Sequence, residues 1–326
     1  MTWDDRVKAI ADHGFTERQA SFLVTVMLHS GVCLGRNYSA YARIAHGGAT
    51  VREFFDKLVG RGYATKRRCG HNTARLFHVH HKPLYAAIGE ADNRNRRPLP
   101  LSRAVERLML LDAVLADRGL QWLATEREKV AYFTLTQRVP VSNLPALTFT
   151  SDAGNTVRHF TDKLPIGLGE DGRTYVFLYL ATRPVPVDFR MFLEHHAELL
   201  RALPAWTVRV LIPHHLVHAT RRYNDAFREQ VGMPLRPTQL DELRWFFEAK
   251  RSSDARRDER FERARRAFGA PRFRALYRAW IEQGDGALDA AVSATLANAI
   301  ARKTGQFEAS VLSHKYLHLA PLVGTA

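Results

Sequence analysis

Residues 61–82 read RGYATKRRCGHNTARLFHVHHK, and the fold of the N-terminal part of the chain turns on this stretch. Six Lys or Arg, four His and one Cys stand together in it. After Gly62 the pattern changes to period two. YATKRR and LFHVH read as strands, joined by CysGlyHisAsnThrAla around a glycine turn. Two readings compete with a basic β-hairpin. Cys69, His71, His78, His80 and His81 are metal-ligand types, and His78-Val79-His80 spells His-hydrophobic-His.

The residues upstream favour the hairpin. TERQASFLVTVMLHS (16–30) opens with a Thr16/Gln19 capping box, and Phe22, Leu23, Val26 and Met27 form a helical stripe that Gly31 ends. VCL follows as a short extended piece. NYSAYARIA (37–45) reads as a second helix with Tyr38, Tyr41 and Ile44 on one face, and HisGlyGly (46–48) as a turn. Thr50 is read as the cap of a third helix, VREFFDKLVGRG, with Val51, Phe54, Phe55 and Leu58 inward. Helix, turn, helix and then a basic hairpin is the order of a winged helix-turn-helix, whose 50–61 helix enters the major groove and whose 63–80 hairpin is the wing.

Zinc sites show paired ligands such as C-x₂₋₄-C with H-x₃₋₅-H, and neither Cys69-x-His71 nor His78-x-His80 fits that framework. The His-hydrophobic-His triplet resembles the rolling-circle replication and relaxase nucleases, whose paired His hold a divalent cation for an attacking Tyr on a later helix. Tyr85 follows His80 by only five residues, too close for such a helix. On the wing reading, Lys66, Arg67, Arg68 and Arg75 neutralise phosphates, and His71 and Asn72 at the tip enter a minor groove. Thr50, Arg52 and Lys57 on the third helix contact base edges or adjacent phosphates.

Residues 14–89, through FTERQASFLVTVMLHSG, YSAYARIAHGG, VREFFDKLVGRGYAT and the Arg/His hairpin, resemble the winged helix-turn-helix of replication-relaxation and mobilisation accessory proteins of plasmids and conjugative elements. The resemblance implies a DNA-binding protein of a bacterial mobile element.

EADNRNRRPLP (90–100) reads as a linker and LSRAVERLMLLDAVLADR (101–118) as a helix that docks two domains or pairs with a second copy. Beyond it the rhythm is α/β. Thr125 and Glu128 make another capping box. LTFTS (147–151), TVRHFT (156–161) and RTYVFLYLAT (173–182) read as strands, with LPIGLGEDG as the break before the last. VDFRMFLEHHAELLRAL (187–203) is a helix, TVRVLIP (207–213) a strand and HLVHATRRYNDAFREQ (215–230) a helix, His195 and His196 facing solvent or an interface. Three strands, a helix and a strand resemble the core order of the PD-(D/E)xK nucleases. That resemblance puts Asp162 where the first metal-binding acid stands, but Tyr175-Val176-Phe177-Leu178-Tyr179-Leu180 carries no Asp/Glu-x-Lys. The domain is therefore expected to be a degenerate nuclease fold. The alternative is a metal-dependent endonuclease using Asp162, or a basic protein-interaction module. From Pro237 on, the reading is nearly all helix.

The chain has 326 residues, 46% hydrophobic and 25% charged, with a net charge of +15. Residues 1–100 hold 16 Lys and Arg against 8 Asp and Glu, a net +8, whereas residues 101–250 are near balance at 19 against 17. A polyanionic partner at the N-terminal end is the expectation. Two cysteines exclude a disulfide scaffold and fit a reducing cytoplasm. No apolar run approaches ~18 residues, so no membrane partner is expected. No phosphate-binding, dinucleotide or serine-hydrolase motif occurs, and no cofactor is expected. The reading is a helix-rich mixed α/β chain: a winged helix-turn-helix (1–90), a linker and connecting helix (91–118), an α/β domain (119–232) and a helical region (233–326). It would bind double-stranded DNA in the cytoplasm at the nucleoid, as a homodimer where the site is two-fold.

Overall fold

Threonine starts the first two helices, and a partner three residues on closes each cap. Thr2 Oγ1 accepts from Asp5 N at 3.2 Å and Asp5 Oδ2 from Thr2 N at 2.8 Å, opening α1 (Trp3–Ala11). Thr16 and Gln19 repeat this at 3.3 and 3.2 Å for α2 (Glu17–His29). The computed structural model describes residues 1–45, 47–69, 75–151, 154–252 and 258–316, and for Ser151 only the backbone. They are helix-rich mixed α/β, and none of the described helices is long and apolar enough to cross a membrane. The chain divides into two units, Met1–Leu120 with the chain from Leu312, and Gln121–Val311.

The first unit continues with β1 (Val32–Leu34), α3 (Gly35–Ala42), α4 (Ala49–Gly60), β2 (Ala64–Arg68), β3 (Arg75–Val79), α5 (Lys82–Ala87) and α6 (Leu101–Ala116). The strands form one antiparallel sheet in the order β1-β3-β2, with Cys33 and Lys66 both opposite Phe77. α4 buries Val51, Phe54, Phe55 and Leu58, the four positions its spacing predicts. Phe54 stacks on Tyr38 at 4.3 Å and Phe55 on Phe77 at 4.0 Å between centroids. Each such pair adds about 0.5–1.5 kcal/mol beyond its buried area, so an aromatic seam ties α3, α4 and the sheet together.

Residues 90–100 are no spacer. Asn95 is 3% exposed. Its Nδ2 donates to Met27 O at 3.0 Å and Leu28 O at 2.9 Å, two carbonyls near the end of α2, and its main-chain oxygen meets His78 Nε2 at 3.0 Å. The chain crosses so closely that a Cβ on Gly31 (φ +73°) would lie 2.2 Å from Asn95 O. α6 does not reach out for a partner with its apolar face either. Val105, Leu108, Met109 and Leu111 are buried, and the helix packs on α2, α3 and β1. On α6, Asp112 takes a two-point salt bridge from Arg36 (2.9 and 2.7 Å), a bond from Asn37 Nδ2 (2.5 Å) and the hydroxyl of Tyr316.

The second unit begins with β4 (Gln121–Leu123) and α7 (Glu126–Ala131), which opens on the expected Thr125/Glu128 box. It continues with β5 (Ala146–Ser151), β6 (Gly154–His159), β7 (Ile166–Leu168), β8 (Thr174–Leu180), α8 (Val187–Ala202), β9 (Ala205–Ile212) and α9 (Thr220–Val231). Next come α10 (Leu240–Arg251), α11 (Glu259–Ala267), α12 (Pro271–Gln283), α13 (Asp285–Val292), α14 (Thr295–Ala301) and β10 (Gly305–Val311). The five-stranded sheet runs β10-β9-β8-β7-β4, parallel across β8, β9 and β10 and antiparallel across β7 and β4. β8 is buried along nearly its whole length, as its unbroken apolar run requires of a strand covered on both faces.

Three expectations change here. Ile166–Leu168, read as part of a break, is strand β7, while β5 and β6 pair only with each other as a separate ribbon. The region read as all helix ends in β10, whose Gly305 abuts the Trp206 ring at a distance no Cβ could occupy. His196 is buried rather than facing solvent.

Candidate nucleic-acid interface

Among the described strands β2 is an edge strand, bonded only to β3. Lys66, Arg67 and Arg68 on it are exposed. Arg68 lies directly opposite Arg75, which is half-buried and has its Nη1 buried without a hydrogen-bond partner. Among the described residues no carboxylate pairs with any of the four. Like charges facing across a ladder cost about 0.2–1 kcal/mol. Lysine on an edge also discourages unwanted strand pairing, but one or two charges serve that purpose. Three in succession, with only Arg68 opposite the fourth, put cations on both faces of the edge, Lys66 and Arg68 on one and Arg67 on the other, more than edge protection requires. His71 and Asn72, expected at the tip, lie outside the described residues.

α4 presents a different face. Thr50 is not its cap: Gly48 is the N-cap, without a side-chain bond, and Thr50 lies exposed in the first turn, whose N–H groups take no cap from Gly48. Arg52 is exposed, but so are Glu53 and Asp56, so acids outnumber cations on this face by one. Lys57, expected at the bases, is spent inside the unit. Its Nζ donates to Gly14 O and sits 5.0 Å above the Phe15 ring, while Arg61 Nη1 donates to His13 O at 2.5 Å beside it. These two cations hold α4 to the loop after α1.

Among the described residues no group of three or more His, Cys, Asp or Glu could hold an ion. His78 and His80 share a strand face with ring centroids 5.8 Å apart. His78 is no phosphate contact, because Asn95 O takes its Nε2, and burial above all lowers its pKa. His81 packs on Tyr63 at 4.8 Å. Cys33 and Cys69 are free thiols, and burial raises both pKa values.

In the second unit Asp162 follows β6, as the reading places it. Its Oδ1 accepts from Leu164 N at 2.9 Å, and its Oδ2 lies 3.3 Å from His196 Nε2. β8 brings no acid to it. Asp171 is occupied in its turn, accepting from Arg173 N, Thr174 N and the Thr174 hydroxyl, the last of which does most to lower its pKa. His214 and His218 fall on a 3₁₀ turn, not on an α-helical face. Two arginines of the Arg-rich run after α10 are paired. Arg260 meets Glu242 at 2.8 Å and covers Trp245 at 3.8 Å, and Arg265 meets Glu262 at 2.7 Å. No family model, curated protein or solved structure matches the chain.

Proposed function

We propose that the chain binds double-stranded DNA through its first unit, as a transcriptional regulator or accessory factor of a mobile genetic element. On this reading α2, α3 and α4 with the three-stranded sheet are a winged helix-turn-helix, and β2 and β3 are its wing. One observation carries it: Lys66, Arg67 and Arg68 stand exposed and without carboxylate partners on an edge strand, with Arg75 opposite. The open first turn of α4 adds Thr50, Arg52 and N–H groups that Gly48 does not cap, where a phosphate or base edge is reached from a groove. The wing supplies affinity and α4, whose exposed acids outnumber its exposed cation by one, supplies selection. The second unit is read as a sheet of restriction-endonuclease type serving as a non-catalytic scaffold, because β8 carries neither the acid nor the Lys of the metal site.

The test is a gel-shift series on labelled duplex from upstream of the gene, with random duplex as competitor, in EDTA, Mg²⁺ or Mn²⁺. Retardation of intact DNA in EDTA that resists competitor is the expected result. Equal competition by random duplex removes the regulator, and shortened product in the metal lanes alone removes the scaffold.

A further inference from the structure

The second unit holds a cavity of about 460 Å³ between the β5–β6 ribbon and the start of α8, within the range of small-molecule pockets. Leu147, Phe149 and Phe192 make much of its wall, with Tyr179 against Phe192 at 5.1 Å between centroids. Two carboxylates face it, Asp162 and Asp188.

The polar groups leave the cavity with one sign of charge. His196 lines it but has no nitrogen to offer: Nδ1 meets Phe192 O at 2.9 Å and Nε2 meets Asp162 at 3.3 Å. Its neighbour His195 also lines the cavity, with Nε2 3.2 Å from Glu282 but in no hydrogen bond to it. Lys129, the cation behind this wall, donates to Leu164 O at 2.5 Å and does not line the cavity. Asp162 is held in place by Leu164 N–H and His196, its side chain still 25% exposed. Among the described residues Asp188 forms an ion pair only with Arg183, at 3.8 Å and with both side chains more than half exposed, a contact that solvent screens. Tyr179 titrates well above the ordinary phenol range, chiefly through burial, with Tyr223, Asp188 and Asp162 behind it.

We infer that this cavity is a binding site for a small organic cation with an aromatic or apolar body. The aromatic wall takes the body and faces the cation with its rings, and Asp162 and Asp188 balance the charge. An anion of the same shape meets two carboxylates and no free cation on the lining. The inference is independent of DNA binding, since no residue of the first unit enters it.

The experiment compares three probes that share one ring system: 1-naphthylmethylamine, 1-naphthalenemethanol and 1-naphthoate. Each is titrated into the full chain at pH 7.5 by calorimetry, with saturation-transfer NMR for weak binding. The amine should bind about tenfold or more tighter than the alcohol, and the carboxylate weakest. Asp162→Asn and Asp188→Asn should each cut amine affinity several-fold and narrow its lead over the alcohol. Leu147→Trp, which fills the cavity, should abolish binding of all three. Equal affinities, a preference for the carboxylate, amine binding that survives Leu147→Trp, or no amine binding at 5 mM would each overturn the inference. Should Asp162→Asn not fold, the exposed Asp188 and the cavity-filling variant still decide.

Discussion

The wing can be tested by removing its charge and reading the salt dependence. If Lys66, Arg67, Arg68, Arg75 and Arg52 each neutralise one phosphate, the logarithm of the binding constant falls against that of salt with a slope of about −4.5. Changing Lys66, Arg67 and Arg68 together to Ala should bring the slope to about −1.8. At 0.15 M salt those three contacts are worth roughly two powers of ten, so affinity for any duplex should drop about a hundredfold. The fold should not suffer. All three side chains are exposed, and the change removes Arg68 from opposite Arg75. Melting temperature should therefore hold or rise slightly. The assay is fluorescence anisotropy on a labelled duplex of about 25 base pairs, from 50 to 300 mM KCl, with circular dichroism as the folding check. A slope unchanged within half a unit, in a variant that melts normally, would refute the assignment of the wing.

Other consequences are simpler. Asn95→Ala strips donors from the Met27 and Leu28 carbonyls and should cost about 1–3 kcal/mol in denaturant unfolding; a cost under 0.5 kcal/mol would make the 90–100 segment a mere linker. Gly31→Ala should be worse, at least about 3 kcal/mol, since it combines positive φ with a clash against backbone; normal melting would contradict the crossing. Burial lifts Glu194 from 4.5 to about 7, against the pull of Gln230, Arg201 and Arg272. A raised acid stabilises the fold most below pH 4.5 and loses that contribution as pH climbs through 7. Glu194→Gln should thus gain on the parent between pH 5 and pH 8.5, by up to roughly 3 kcal/mol and by less to the extent that the half-buried site admits water. Parallel stability curves for the two proteins across that range would contradict it.

What could be read in advance follows periodicity and caps. α4 and α8 each place an apolar stripe on one face, α2 is apolar enough to be buried from Phe22 to His29, and the Thr16/Gln19 and Thr125/Glu128 boxes are local in sequence, so these helices were legible. β7 was not, because three residues, Ile166, Gly167 and Leu168, show no period. β10 was not, because Gly305–Val311 follows a long helical run and gains its strand character from lying parallel to β9, almost a hundred residues away. The same holds at the interface. The hairpin cations are legible as a run of charge, Lys66, Arg67 and Arg68, inside a stretch whose pattern turns to period two. That Lys57 would bond Gly14 O, or His78 meet Asn95 O, depends on contacts 43 and 17 residues apart, which no local pattern carries. Asp112, holding Arg36, Asn37 and Tyr316, reads in sequence as one more acid on a helix.

The loss of Lys57 from the reading face bears on the division of labour. If α4 supplied most of the affinity, its outer face should carry surplus cations. Instead Arg52 shares that face with Glu53 and Asp56, and Lys57 is drawn inward. Acids there raise the energy of any pose that presses the helix blindly against phosphates. They still permit a pose in which Glu53 or Asp56 accepts from a cytosine amino group and Arg52 meets a guanine. The hairpin has no such acids, and on the proposed reading it would attract every duplex alike. On the proposed reading a duplex would be held by the strand that cannot discriminate and judged by a helix whose exposed acids outnumber its exposed cation. Reversing the charge at Glu53 or Asp56 should therefore tighten binding to random DNA more than to the cognate site, a loss of specificity rather than a gain of function.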